Sequence, residues 1–129
     1  MAEKARLAYQ HVNYFTSLYT VTRQDYLLLF RKLAERGISQ VTFCGVDEVA
    51  EIAWLSLQEA GLELVGVMDD TNPGRDFMGR PVIGISPESL SGVQLVVITS
   101  LKRSEQLRLR LLELGASNSM VLFPDSSNR

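Results

Sequence analysis

Before Gln40 the apolar residues recur every three or four positions; after it, short unbroken apolar runs alternate with stretches of that same helical spacing. Ala5, Ala8, Tyr9, Val12, Phe15 and Tyr19 fall on one face of a helix over residues 3 to 19. The β-branched Thr20-Val21-Thr22 predicts an interruption. Thr22 with Asp25 has the spacing of a capping box, which starts a second helix through Tyr26-Leu27-Leu28-Leu29-Phe30 to Arg36, and Gly37 stops it.

In the second part, Val41-Thr42-Phe43-Cys44, Leu62 to Met68, Leu95 to Ile98 and Met120 to Phe123 are predicted as strands, with a further extended piece at Pro81-Val82-Ile83. Between them, Asp47 to Ala60 and Ser104 to Leu114 are predicted as helices, closed by Gly61 and Gly115, and Pro87 to Leu90 as a brief helical turn. Parallel neighbours need crossover connections, and the crossovers cover the sheet. The expected fold is therefore α/β: a Rossmann-like open parallel sheet of about five strands with helices on both faces, preceded by a long N-terminal amphipathic helix. Residues 1–37 are expected to form linker or dimerisation helices, 38–125 the Rossmann-like domain, and 126–129 a disordered tail.

Composition narrows the function classes. The chain has 129 residues, of which 46% are hydrophobic, enough for one domain with a core of its own. It has a single cysteine, Cys44, which excludes an internal disulfide and sits in an apolar run as a buried thiol would. No segment has the roughly 20 apolar residues of a membrane span, and no signal peptide is recognisable, so a soluble, cytoplasmic protein is expected. A formal charge of -2 and scattered basic residues argue against a nucleic-acid surface. Lys102, Arg103, Arg108 and Arg110, broken by Glu105 and Glu113, have the pattern of a solvated helix face.

Ligands of open parallel sheets bind beyond the carboxyl ends of the strands, which directs attention to Gly45-Val46-Asp47-Glu48-Val49-Ala50. A dinucleotide fingerprint needs glycine, or a small residue in the last case, at a tight turn, at the approach to pyrophosphate, and where helix meets strand. Gly45 and Ala50 fill the first and third places; Asp47 holds the second. Its carboxylate is expected to cap the following helix and so occupy the phosphate seat, with Glu48 and Glu51 deepening the negative field. The other reading is a nucleotide or nucleotide-sugar site. There Asp69 and Asp70 after the second strand would bind ribose hydroxyls, while Thr99 and Ser100 would hydrogen-bond the ligand from the next edge. The candidate ligand-binding residues are thus Gly45, Asp47, Asp69, Asp70, Thr99 and Ser100. Their alternative roles are turn formation and helix capping.

Catalysis is poorly provided for. The only histidine, His11, lies in the leading helix as a surface or interface residue, and no His/Cys cluster suggests a metal. Asp69 and Asp70 offer at most a weak site for a hard cation. No enzyme activity is expected.

Two resemblances add to this reading. Val65-Gly66-Val67-Met68-Asp69-Asp70, with Gly74-Arg75 and Gly79-Arg80-Pro81-Val82-Ile83-Gly84, resembles the Rossmann-like N-terminal domains of polysaccharide-synthesis dehydratases and sugar acyltransferases. Glu3-Lys4-Ala5-Arg6-Leu7-Ala8-Tyr9 resembles the helix after the wing in MarR-type winged helix-turn-helix regulators associated with exopolysaccharide clusters. With Ala50-Glu51-Ile52-Ala53-Trp54-Leu55-Ser56-Leu57-Gln58-Glu59, it resembles winged-helix proteins carrying a Rossmann-like C-terminal domain. The second resemblance implies a regulatory, effector or dimerisation domain of a bacterial transcription regulator. It would contact DNA only through an N-terminal domain outside this chain and form a homodimer through Tyr9, Val12, Phe15 and Tyr19, with a possible small-molecule effector. The first implies an accessory domain binding a nucleotide or nucleotide sugar in a polysaccharide-biosynthesis enzyme.

Overall fold

A computed structural model of the chain describes residues 2–71 and 73–124, with side chains placed from Tyr19 onward. Helix α1 spans Ala2–Glu35 without a break. The interruption expected at Thr20-Val21-Thr22 is absent, and so is the second helix start at Thr22 and Asp25. A β-branched residue costs a helix only about 0.5 kcal/mol, whereas Thr22 shares the buried face of α1 with Tyr26, Phe30 and Leu33. Burial of that face outweighs the local preference. The side chains of Tyr9, Val12, Phe15 and His11 lie outside the described residues.

Four strands form one sheet: β1 (Gln40–Cys44), β2 (Glu63–Met68), β5 (Val96–Ile98) and β6 (Val121–Leu122), in the order β2-β1-β5-β6. All three neighbouring pairs are parallel. Among the described residues the sheet thus has four strands where about five were expected. The extended piece near Pro81 pairs elsewhere: β3 (Asp76–Phe77) and β4 (Arg80–Pro81) make a two-residue antiparallel hairpin, and Ile83 meets Met68 only as an isolated bridge. Proline cannot donate to a ladder, so Pro81 suits this short edge hairpin better than a fifth central strand.

Strand side chains alternate between two layers. Val41, Phe43, Val67 and Val97 pack with Tyr26, Phe30 and Leu33 of α1 and with Ala53 and Leu57 of α2 (Ala50–Ala60). Cys44, Met68, Val96 and Ile98 pack on the other side with Leu107 and Leu111 of α4 (Ser104–Glu113) and with Leu90 of the short α3 (Pro87–Leu90). Helices therefore cover both faces. Among the described residues no helix is long and apolar enough to cross a membrane.

Register decides what reaches the sheet's carboxyl edge. Cys44 is paired with both Met68 and Ile98, so β1, β2 and β5 end level with one another. The chain leaves β1 for β2 on one side, and later returns to β5 on the other side of β1. This is where the direction of strand addition reverses, and where loops splay apart in open parallel sheets. The residues next along the three strands, Gly45, Asp69 and Thr99, are brought side by side. Gly45 N donates to Met68 O and Thr99 N to Cys44 O, each at 2.9 Å.

Candidate functional site

Gly45 makes the turn out of β1 with φ of 102°, a conformation side chains rarely adopt. A Cβ there would stand 2.9 Å from Leu107 Cδ1 and 3.1 Å from Ser100 Cβ. Its carbonyl accepts a short hydrogen bond from the Thr99 hydroxyl. The expected tight turn is present, and it is closed by packing against α4 as well as by conformation.

Asp47 does not cap the helix. α2 begins at Ala50, three residues later than expected; Val49 is its cap residue, and no side chain caps the helix. The Asp47 carboxylate turns instead across the edge to Arg103, taking Nε–H at 3.0 Å and Nη2–H at 2.9 Å, and accepts a short bond from the Ser100 hydroxyl. Arg103 presents its other side to Asp69, with Nη1 and Nη2 donating at 3.0 and 2.8 Å. One planar guanidinium thus holds two carboxylates in bidentate fashion, the geometry for which arginine is suited and lysine is not.

Asp69 reaches the turn after β1. The amide of Val46, first after the turn glycine, donates to Asp69 Oδ2 at 2.7 Å, and Thr71 N donates to Oδ1 at 3.0 Å. The capping of the helix start expected of Asp47 is not seen; the carboxylate that takes a turn amide is Asp69, from the end of β2. The reason is spatial: Asp69 emerges level with Gly45 and points at its neighbour's amide, while Asp47 lies past the turn.

Asp69 is 1% exposed, yet its charge is well supported. Burial alone would raise its pKa; the hydrogen bonds from Arg103, Val46 and Thr71 prevail and bring it down to about 2. The Asp47 carboxyl is likewise held below its ordinary value, chiefly by Arg103. Arg103 is raised by its bonds to Asp69 and then Asp47. Cys44, just beneath, is pushed up to about 12 by burial, which leaves it an inert thiol. Among the described residues no buried side-chain polar atom lacks a partner.

Of the six candidate residues, Gly45, Asp47, Asp69, Thr99 and Ser100 converge. Asp70 does not: it turns to the other layer, where Oδ1 accepts from Ile85 N at 2.8 Å and Oδ2 lies 3.5 Å from Arg110. The residue missed by sequence reasoning is Arg103. The basic stretch splits three ways: Arg103 enters the cluster, Arg110 braces Asp70, and Arg108 pairs with Glu105 on the exposed face as expected. A signal was available, since two acidic turns converging on one edge require a cation if either is buried. Arg103, five residues beyond β5, is the one placed to answer.

The cluster is saturated and offers no activated group. Ser100 and Thr99 hydroxyls are buried and committed to Asp47 and Gly45. A carboxylate held at low pKa is a weak general base. Among the described residues no group of three or more metal-binding side chains is present. Beside the cluster, a cleft of about 470 Å³ opens between α1, the start of α2 and the loop after β5. No protein-family model and no curated protein matches the chain.

Proposed function

We propose that the chain is a Rossmann-like regulatory domain, for effector response or dimerisation, of a bacterial transcription regulator whose DNA-reading winged helix lies outside these residues. The observation carrying this is the attachment of α1 to the strand edge. Tyr26, 1% exposed, donates its hydroxyl to Ile98 O at 2.8 Å, at the last residue of β5 and immediately before Thr99 and Ser100. One end of a 34-residue helix is thereby fixed to the region where such sheets respond to ligands. A helix of that length spans about 50 Å, enough to transmit a shift at the edge to a domain joined at its start. The saturated cluster supports a regulatory role over catalysis, because it leaves neither a nucleophile nor a base free.

The other reading, a nucleotide or nucleotide-sugar accessory domain, needs the Val46 amide and the Asp69 carboxylate that the cluster already uses on each other. Immunoprecipitation of the full-length protein from its native cells, followed by sequencing of bound DNA, tests the proposal. Enrichment at promoters is expected, and its absence would overturn the regulatory reading. A melting-shift screen with nicotinamide dinucleotides, coenzyme A and UDP-sugars tests the other. Micromolar binding abolished by Asp69→Ala would establish a nucleotide site instead.

A further inference from the structure

The crossover from β2 to β5 covers its face of the sheet thinly. A parallel crossover ordinarily carries a full helix, but here α3 is only four residues long. Beside it a groove of about 510 Å³ stays open over β1 and β2. Its floor is the register pair Thr42 and Gly66. Two residues further along the same strands, Cys44 and Met68 belong to the core; this pair presents a hydroxyl and bare backbone instead.

Thr42 marks the groove as more than a gap in packing. It is 5% exposed, and its hydroxyl forms no hydrogen bond with any described residue. The hydroxyl is not sealed, since among those residues no fully buried side-chain polar atom lacks a partner; the opening left to it is the groove. A Cβ on Gly66 would stand 3.3 Å from Thr42 Oγ1 and 3.4 Å from its Cγ2, so the missing side chain is what keeps that opening clear. A polar group this deep costs stability unless it is paired. Valine would suit a buried strand position without that cost. The threonine therefore asks for a partner from outside the chain.

The lining gives the chemistry of that partner. None of the residues around the groove is charged, in a chain of which 22% is. An ion of either sign would lose hydration there and gain no counter-charge. Ile83, 45% exposed, and Val93 offer apolar walls. At the rim, Ser91 and Gln94 are exposed and their side chains make no hydrogen bond to a described residue. The volume lies within the ordinary range of small-molecule pockets.

We propose that this groove binds an uncharged, partly apolar small molecule, which hydrogen-bonds Thr42 through a hydroxyl, carbonyl or amide group and lays its carbon skeleton over Gly66 against Ile83 and Val93. The inference does not rest on the regulatory reading, and it places a ligand on the face of β1 and β2 rather than at the carboxylate cluster.

Three probes that share one ring separate charge from shape: cyclohexanecarboxamide, cyclohexanecarboxylate and cyclohexylammonium. Titrated into isotope-labelled protein, the carboxamide is expected to shift the backbone amide resonances of Thr42, Gly66, Gly92 and Gln94 saturably, with the low-millimolar affinity of a fragment of this size. The two ions are expected to bind at least about fivefold more weakly. No saturable shift at these residues, or equal affinity for all three probes, would overturn the proposal. Thr42→Val is expected to weaken carboxamide binding at least about threefold while the melting temperature stays the same or rises, because an unpartnered hydroxyl is lost. Gly66→Ala, which sets a methyl group against that hydroxyl, is expected to abolish the shifts and leave the rest of the spectrum unchanged. Undiminished binding in either variant would overturn the assignment. A lowered melting temperature in Thr42→Val would show that the hydroxyl serves the fold, and would overturn it likewise.

Discussion

Two regions meet at the carboxyl edge of the sheet and differ in what they still need. The Asp47–Arg103–Asp69 cluster is charged, close-fitting and complete, with every carboxylate oxygen and guanidinium nitrogen engaged. The adjoining cleft at Tyr19 and Leu101 is apolar and open to solvent. A buried charge cannot wait for a ligand, since its desolvation must be offset within the folded chain. An exposed apolar surface can wait, because leaving it wet costs far less than leaving a charge buried and bare. The polar region therefore holds the fold, and the apolar one can stay open to solvent without a large cost.

The largest expected effect comes from breaking the complete side. Arg103→Ala strands the carboxylate of Asp69 without its cation and should lower stability by about 3–5 kcal/mol in urea titration. Arg103→Lys keeps the charge but loses the fork, and should fall between that variant and the wild type. Asp69→Asn leaves Arg103 its contact with Asp47 and one acceptor for the two amides, for an expected loss of about 2 kcal/mol.

The same carboxylate sets an acid limit. Its folded pKa is about 2, against about 3.9 for an unfolded aspartate. The unfolded chain therefore binds more protons between those values. The stabilisation from Asp69 is fully present above about pH 4 and is lost as pH falls through 2. Stability measured across pH 2–5 should show this slope in the wild type and a shallower one in Asp69→Asn.

Smaller effects lie at the join between the regions. Tyr26→Phe removes the donor to Ile98 O and should cost about 1 kcal/mol by the same titration. Leu101→Glu should leave the stability of the monomer within about 0.5 kcal/mol. A loss several times larger would mean that the cleft is part of the fold after all, and the contrast between the two regions would fail.

The sheet was readable from the sequence because its central strands are buried on both faces and so appear as short, mainly apolar runs, Val41 to Cys44 and Leu95 to Ile98. At the edge, β2 keeps a mainly apolar run from Leu62 to Met68 although Glu63 and Val65 are exposed. The glycine turn and the acidic residues at the strand ends were readable for the same reason, each directly following such a run. What escaped was non-local. Arg103 pairs with residues 56 and 34 positions away, and its neighbours Lys102 and Arg108 give it the look of an ordinary surface charge. The continuity of α1 through Thr20-Val21-Thr22 escaped likewise, because it depends on the packing of Thr22 within the folded core. At Asp47 the local signal, a carboxylate at a helix start, lost to a stronger partner across the edge.

Asp69 also bears on what this edge can admit. It is an anion tethered within reach of the Val46 amide at all times, whereas a free nucleotide must arrive by diffusion and displace it. A nucleotide phosphate could take the Val46 amide only by displacing this carboxylate, so occupancy of this edge would demand a ligand concentration high enough to outcompete a group that is always present.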